Sequence, residues 1–285
     1  MNDDGLIGLL LNFRDATRSA RCVRSLLDEG VPRVLVWDNS ADEGVSASQL
    51  RDIFSSDPRV IIEVSANNLG FAMGVNRSIR LATERLGAST VLIINNDATL
   101  MVGALRALRG EAAARPQAAV ISMDIDHAGT RGGVQFYQRL SGLLFARPVA
   151  GTFSYASGCC LWIDMRRVPL PLFDEAFFMY GEDWELGWRL RQMPGMWIHL
   201  PSLLVSHEGS ASSKLGSTFY ETHMVAAHLL LARRLGRSAT EAVFLSATRL
   251  PVLLARAVLR SMRYRSLRPL RALGSGARLA WRRLG

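Results

Sequence analysis

Short apolar runs alternate with helix-like stretches over the first two thirds of the chain. The predicted strands cover residues 6–11, 34–37, 60–64, 91–94 and 119–122. Between them, residues 20–27 and 75–86 place apolar side chains three and four positions apart, as in amphipathic helices that cover a sheet. This order predicts an α/β fold with a mostly parallel sheet flanked by helices.

The pattern changes between about residues 215 and 235, where the chain becomes helical and then arginine-rich. Thirteen arginines and one acid, Glu241, follow from Arg233 onward, a balance of +12 within a formal net charge of +9. The remaining chain is therefore close to −3, so most of the protein is not expected to bind polyanions.

The C-terminal extension predicts contact with a membrane surface. Residues 242–259 are apolar, but Arg249, Pro251 and Arg256 interrupt them, which favours a helix that lies on the membrane over one that crosses it. The arginines expected to face an anionic cytoplasmic leaflet are Arg249, Arg256, Arg260, Arg263, Arg265 and Arg268. A solvated helical extension and a nucleic-acid-binding tail are the alternatives. Few aromatic residues accompany the arginines and no nucleic-acid-binding module is recognised, so no nucleic acid is expected as a partner.

Cysteine usage predicts a reducing compartment. Cys159 and Cys160 are adjacent and Cys22 is distant, which suits neither a disulfide framework nor a tetrahedral zinc site. The early apolar run, residues 6–11, is short and follows Asp3 and Asp4, so no signal peptide is predicted. We expect a cytoplasmic protein.

Polar residues follow three of the predicted strands, where open α/β sheets bind ligands. Asn12 and Arg14 follow the first strand, Asp38 ends the second, and Asn96 follows the fourth. They should converge on one edge of the sheet. Asp38 is placed to accept a hydrogen bond from the imide N–H of uracil or thymine, with an ordinary strand-end turn as the alternative.

Asp97, also after the fourth strand, could hold Mg²⁺ or Mn²⁺ against the phosphates of a nucleotide-sugar. His207 follows the apolar run 203–205 and could complete a metal site or contact a diphosphate. A turn and a structural histidine are the respective alternatives.

Residues 68–76 predict a small-residue loop that opens a helix. Gly70 and Gly74 would let backbone amides approach a phosphate or sugar. The glycines are four apart and no Gly-Lys-Ser/Thr ending follows, so neither a P-loop nor a dinucleotide fingerprint is matched. A tight turn with helix packing remains the alternative.

Residues 173–189 place five carboxylates among aromatic side chains. An apolar surround raises a carboxyl pKa, which suits a general base for a sugar hydroxyl. The alternative is an acidic first turn of a helix whose Trp184 faces the core. Gly158 lies in a small-residue segment expected beneath a donor or acceptor pocket. The sequence predicts neither a serine hydrolase nor a zinc protease, because it contains no Gly-x-Ser-x-Gly elbow and no His-Glu-x-x-His pair.

Taken in order, these motifs resemble the family 2 glycosyltransferases, an inverting group with the GT-A fold, and in particular its rhamnosyltransferase-like members. The resemblance covers residues 6 to about 215. It rests on Asn12-Phe13-Arg14, Asp38-Asn39, Asn68-Leu69-Gly70, Asn95-Asn96-Asp97, Gly181-Glu182-Asp183 and His207.

The resemblance implies a glycosyltransferase domain over residues 1–215, with a nucleotide-binding half to about residue 100 and an acceptor-binding half after it, followed by the extension 216–285. Asp183 would be the catalytic base, and Asp97 and His207 would hold Mg²⁺ or Mn²⁺. The implied donor-nucleotide residues are Asn12, Arg14, Asp38, Asn68, Gly70, Asn76 and Asn96. The implied acceptor or sugar pocket contains Gly158, Glu182 and Trp184.

Two positions depart from the family pattern. Asn95 stands where an acid is common, so Asp97 alone supplies charge in that motif, and Glu185 stands where many members carry Asp. The expected reaction moves a sugar from a nucleotide diphosphate, dTDP-rhamnose favoured and a UDP-sugar next, to a hydroxyl of a lipid-linked or cell-surface glycan, as in polysaccharide or lipopolysaccharide biosynthesis. A nucleotidyltransferase is the alternative enzyme. The expected location is the cytoplasmic side of the cell membrane, as a peripheral protein.

Overall fold

The computed structural model describes residues 5–208 and 215–284, which form two compact units. The first unit contains the described residues 5–133, 156–172 and 193–208, and the second contains 134–155, 173–192 and 215–284. Both units are thus assembled from separate stretches of the chain, unlike the predicted division at residue 215.

The first unit holds a large sheet and four helices. Its strands are β1 (Leu6–Asn12), β2 (Arg33–Asp38), β3 (Val60–Val64), β4 (Thr90–Ile94), β5 (Ala98–Leu100), β6 (Val120–His127), β7 (Thr130–Gly132), β11 (Cys160–Asp164) and β12 (Trp197–His207). Its helices are α1 (Ala16–Asp28), α2 (Val45–Ile53), α3 (Gly70–Glu84) and α4 (Ala104–Ala114).

The second unit holds a small sheet and four further helices. Its strands are β8 (Gln135–Gln138), β9 (Leu144–Phe145) and β10 (Thr152–Tyr155). Its helices are α5 (Glu182–Leu190), α6 (Thr218–Leu235), α7 (Ala239–Tyr264) and α8 (Arg268–Leu284).

The large sheet has the order β3-β2-β1-β4-β11-β6-β12-β5, and β7 pairs with β6. Strands β3, β2, β1 and β4 are parallel, and β11 runs antiparallel to both β4 and β6. The central strands are buried on both faces, because helices cover them, and their sequences are accordingly continuous apolar runs. Helix α1 turns Ala20, Val23 and Leu26 into this core.

The predicted fold class is confirmed, and all five predicted strands are present. Strand β6 extends further than its apolar run, to His127. The polar Asp124 can stay buried within it because His199 and Arg131 both contact its carboxylate, at 2.9 and 2.5 Å. Paired charges of this kind are not visible in a hydrophobicity pattern.

The second unit is built around aromatic side chains. Its sheet has the order β10-β8-β9, and Tyr137, Phe153, Tyr155 and Trp184 pack with the buried face of α6. Helices α6, α7 and α8 therefore share a core with the small sheet and α5, instead of forming a separate C-terminal appendage.

Three of the four arginines of helix α7 point inward, which corrects the expectation that Arg249, Arg256 and Arg260 face a membrane. Arg249 is fully buried and donates to the carbonyl oxygens of Leu245 and Arg139, at 2.6 and 2.8 Å. Arg256 and Arg260 donate to the buried carboxylate of Glu221, at 2.9 and 2.7 Å. The charges are satisfied by groups of the second unit, because a buried guanidinium requires such partners.

Candidate functional site

The ends of β1 and β2 are joined by hydrogen bonds to one carboxylate. The Asn12 side-chain amide donates to Asp38 Oδ1 at 2.8 Å. The Ser40 hydroxyl also donates to Oδ1, and its backbone N–H approaches the same oxygen at 3.3 Å. The predicted convergence of polar residues at this edge of the sheet is confirmed for Asn12 and Asp38.

The second carboxylate oxygen of Asp38, Oδ2, differs from Oδ1 in its hydrogen bonding. Asp38 is 1% exposed, and its Oδ2 accepts no hydrogen bond from any residue in the described part of the chain. A buried carboxylate oxygen without a donor costs free energy, of the order of 1–3 kcal/mol. Oδ2 is therefore the oxygen on which a ligand donor would be most favourable.

The same network reaches the end of β4 through a serine of α1. Ser19 donates to Asn12 Oδ1 at 2.7 Å and accepts from the Asn96 side-chain amide at 3.1 Å. Arg14 has φ 52° and makes two hydrogen bonds to Ser40. Its backbone N–H donates to the Ser40 hydroxyl at 2.8 Å, and its Nε–H donates to the Ser40 carbonyl oxygen at 3.1 Å. Asn12, Arg14, Asp38 and Asn96 therefore belong to one connected group.

Asn39 fixes the predicted loop at residues 68–76 against the end of β2. Its amide donates to Asn68 Oδ1 and to the Gly70 carbonyl, both at 3.0 Å, and its Oδ1 accepts from the Leu69 backbone N–H at 2.9 Å. Gly70 has φ 78°, a conformation that favours glycine. The loop position is thus set by a side chain of the neighbouring strand end.

Two further residues of this segment lie inside α3. A side chain at Gly74 would meet Leu11 at 3.1 Å, so this glycine permits close helix–strand packing. Asn76 is buried, at 7% exposure, two residues further along the helix.

Asp97 and His207 are in direct contact, as their predicted shared site requires. His207 Nε2 lies 3.0 Å from Asp97 Oδ1, and its Nδ1 lies 3.0 Å from Nδ1 of His127. Because a carboxylate only accepts, Nε2 of His207 carries the hydrogen, and in neutral His207 the Nδ1 accepts from Nδ1–H of His127. Burial, and then the proximity of His207, lower the pKa of His127, which favours this neutral donor.

This pair fits a divalent cation that is also bound by phosphate oxygens. Among residues 5–208 and 215–284, no group of three or more His, Cys, Asp or Glu side chains is arranged as a metal site. Mg²⁺ commonly takes only one or two protein ligands and completes its shell with phosphate and water, and Mn²⁺ accepts both carboxylate and imidazole. One carboxylate and one imidazole meet that requirement once the hydrogen on Nε2 of His207 moves to Nδ1, because Nε2 is then free to bind the cation.

The acidic segment of the second unit forms the N-terminus of α5. Gly181, at φ 89°, precedes the helix, and Asp183 accepts from the Trp184 backbone N–H at 2.9 Å. Glu182 is buried, with Oε2 lacking a hydrogen bond from the described residues. Burial raises the pKa of Glu182, and the neighbouring Asp183 charge raises it further. The N-terminus of α5 stabilises a negative charge in this segment, whereas burial makes it unfavourable for Glu182 to ionise as well.

The buried carboxylate of Glu185 is stabilised by an ion pair. It is buried, and Arg189 donates to it at 2.8 Å one helical turn later. Burial raises its pKa while the Arg189 charge opposes that shift. The residue that departs from the family pattern thus forms an ion pair within α5.

Trp184 and Gly158 were predicted in an acceptor or sugar pocket, and both are buried. Trp184 is 5% exposed and packs on the rings of Tyr137 and His228, with centroids 5.0 and 4.9 Å away. For Trp184 the structure therefore corrects that prediction and supports the core alternative, because its ring has no face left for a sugar. Gly158 lies in the first unit, directly before the buried Cys159.

The three cysteines lie in the interior of the protein. Cys22, Cys159 and Cys160 are unpaired and buried. Burial raises the pKa of all three thiols, so none supplies a thiolate nucleophile near neutral pH.

Sequence reasoning missed four polar residues of these clusters. Ser19 has a weak signal, as a serine on the buried face of α1, and Ser40 follows Asp38-Asn39 directly. His127 and Arg131 carry no such signal, because they meet their partners only through the parallel pairing of β6 with β12 and through the β6–β7 turn.

Known proteins resemble this chain in sequence and in fold. No protein-family model matches the chain. The N-acetylglucosaminyl-diphospho-decaprenol L-rhamnosyltransferase of Mycobacterium tuberculosis (strain CDC 1551 / Oshkosh) is 26% identical over 244 residues, which is 74% of this chain and 78% of that protein. The protein of the same name from strain ATCC 25618 / H37Rv matches equally. The chain resembles the rhamnosyltransferase-like glycosyltransferases, as predicted.

Solved structures share the fold. S. aureus TarS 1–349 has a TM-score of 0.56 at 11% identity, covering 96% of this chain and 80% of that one. Its complex with UDP has a TM-score of 0.55 at 12% identity, covering 84% and 68%. The predictions of a GT-A fold and of a transferase enzyme are confirmed by these findings together.

Proposed function

We propose that this glycosyltransferase moves a sugar from a pyrimidine nucleotide diphosphate to a hydroxyl of a lipid-linked glycan, with inversion at the anomeric carbon. The observation that carries the proposal is the buried, unpartnered Oδ2 of Asp38 at the carboxyl end of β2. The rhamnosyltransferase of M. tuberculosis, whose name describes a diphospho-decaprenol substrate, supports the acceptor class.

Asp38 would select the base. Uracil and thymine both present an imide N–H, which donates to a carboxylate, whereas the corresponding nitrogen of cytosine accepts. Asn12 and Ser40 occupy Oδ1 and so orient Oδ2. Arg14, Asn68, Gly70, Asn76 and Asn96 complete the proposed nucleotide site.

Asp97 and His207 would hold the divalent metal against the diphosphate. A bound Mg²⁺ or Mn²⁺ supplies Lewis-acid stabilisation of negative charge on the leaving diphosphate. With the cation on Nε2 of His207, Nδ1 of His207 would carry the hydrogen and donate it to Nδ1 of His127, which would keep the imidazole oriented.

Asp183 would take the proton from the acceptor hydroxyl. It lies in the first turn of α5, where the helix N-terminus favours negative charge, and Glu182 beside it would stay protonated near neutral pH. A single displacement of this kind inverts the anomeric centre. Positioned bases commonly contribute about 10²- to 10⁴-fold to the rate.

The favoured donor is dTDP-rhamnose, and UDP-sugars come next, since the UDP complex of TarS shares the fold. We also propose that the protein acts at the cytoplasmic face of the membrane, where lipid-linked acceptors are presented. Peripheral contact would come from the C-terminal helices.

A thermal-shift panel of dTDP, UDP, GDP and CMP, each with and without Mn²⁺, tests the proposal, because ligands that bind the native state raise its melting temperature. We expect metal-dependent shifts with dTDP or UDP and smaller shifts with GDP and CMP. Product analysis then separates the two enzyme classes: nucleoside diphosphate is released by glycosyl transfer and pyrophosphate by nucleotidyl transfer. Folded protein with no shift for any nucleotide would contradict the proposal.

A further inference from the structure

Helix α7 exposes apolar side chains and turns charged ones toward the interior of the second unit. Across residues 243–262, all of which the structure describes, every exposed residue is apolar, while the arginines of this stretch point into the second unit. The large exposed side chains are Val243, Phe244, Leu250, Leu254, Val258, Leu259 and Met262, each between 41 and 66% exposed. We call this set the outer face of α7.

The outer face is continuous. Together with the exposed Ala247, its residues recur three and four positions apart, so they lie along one side of the helix over about 30 Å at 1.5 Å per residue. Apolar patches of this size on a soluble protein mark a surface that meets another molecule.

Its inner side holds α7 in place. Arg249 bonds to the backbone of Leu245 and Arg139, and Glu221 pairs with Arg256 and Arg260. Helix α7 is the one helix among the described residues that is long and apolar enough to cross a membrane. Crossing would strip these three arginines of their partners and place them in hydrocarbon, which is strongly unfavourable. The helix can therefore offer only its outer face.

Positive charge surrounds both ends of the outer face. Arg263, Arg265 and Arg268 are exposed at the C-terminal end, and Arg233 and Arg237 are exposed just before the helix. The two acids described in residues 215–284, Glu221 and Glu241, are both ion-paired. A second copy docked on this face would bring arginines against arginines in either helix orientation, whereas anionic headgroups would complement them.

A groove of about 390 Å³ continues the outer face at the turn between α7 and α8. Val258, Met262, Leu267 and Leu270 supply its apolar wall, and Arg265 lies at its edge. This combination suits a lipid chain with a phosphate at its head.

We propose that α7 lies in the plane of an anionic bilayer with its outer face inserted at the boundary between headgroups and acyl chains. The inference rests on the proposed membrane acceptor but replaces electrostatic adsorption by burial of an apolar helix face. Membrane binding should therefore survive salt concentrations that screen the arginines.

Vesicle flotation of the full chain tests this, with phosphatidylcholine vesicles containing 30% phosphatidylglycerol, at 0.1 and 1 M NaCl. We expect the bound fraction to fall less than about threefold in high salt. A Leu250→Glu/Leu254→Glu variant should lose at least about tenfold in vesicle affinity, because both side chains are exposed and the change leaves the core intact. Thr240→Glu, exposed on the same helix outside the outer face, is the matched control and should bind normally.

Insertion can also be read directly. The native cysteines are buried, so a Leu254→Cys variant can be labelled with an environment-sensitive fluorophore. Its emission should shift to shorter wavelength on vesicles, while a label at Thr240→Cys should shift less.

Loss of binding in salt, unchanged binding of the double glutamate variant, or a dimer that forms through this face without vesicle binding would each overturn the inference. The dTDP thermal shift, measured on the same variants, reports separately on the donor site.

Discussion

Replacing Asp38 by Asn tests how the structure selects a pyrimidine base. Oδ1 of Asp38 accepts from Asn12 and Ser40, so the amide oxygen of the variant is expected to take that position. The amide NH₂ then occupies the place of Oδ2, which accepts from no described residue. The substitution thus turns an acceptor aimed at the ligand into a donor.

The expected loss follows from one charge-assisted hydrogen bond, worth about 1.5–3 kcal/mol. At 1.4 kcal/mol per decade, affinity for UDP and dTDP should fall about 10- to 150-fold. CDP should bind the variant relatively better, because the ring nitrogen of cytosine accepts a hydrogen bond where uracil donates.

Isothermal titration of UDP, dTDP and CDP, each with Mn²⁺, measures both effects. Asp52→Asn is the matched control, since Asp52 is an exposed acid of α2 and its loss changes the net charge equally. If Asp38→Asn kept its UDP and CDP affinities within twofold of the native values, base recognition by Asp38 would be refuted.

Four further outcomes are expected. Asp183→Asn should keep donor affinity and lower turnover at least about 10²-fold, measured as nucleoside diphosphate release; near-normal turnover would remove Asp183 from the role of base. Because burial and Asp183 raise the pKa of Glu182, the native state holds a proton that the unfolded chain releases above the ordinary pKa of 4.5, so stability should fall as pH rises. Glu182→Gln should flatten that slope in urea unfolding at pH 5, 7 and 9, and an unchanged slope would contradict the burial. Glu221→Gln should cost about 2–4 kcal/mol in urea unfolding by leaving two guanidinium groups without their acid, and Glu241→Gln, which removes a more exposed acid, should cost less. His207→Ala should abolish the Mn²⁺-dependent part of the dTDP thermal shift and keep the metal-independent part; an intact Mn²⁺ effect would place the metal elsewhere.

Much of the first unit follows from local patterns. Continuous apolar runs predicted β1 to β4 because strands covered on both faces have little polar surface, and strand-end polar residues predicted the cluster around Asp38. Strand β6 was underestimated because Asp124 interrupts its apolar run, and only its tertiary partners make that residue tolerable.

The second unit was harder to predict, since its stability depends on contacts between distant segments. The arginines of α7 looked like a membrane-facing stripe, but Glu221, 35 and 39 residues earlier, draws two of them inward. Trp184 looked like a sugar platform beside acids, but β8 and α6 enclose its ring. A linear pattern reports which residues are charged or aromatic and does not report which side of a helix receives a partner.

The three hydrogen bonds of Asn39 have a kinetic consequence. They hold Asn68, Leu69 and Gly70 with groups of the protein itself, so this wall of the proposed nucleotide site is in place before any ligand arrives. Encounter would then require no loop closure at this wall, and association rates for different nucleotides should be similar. Nucleotides would then differ in their dissociation rates. The Leu69 amide hydrogen should exchange slowly with solvent even in the protein without ligand.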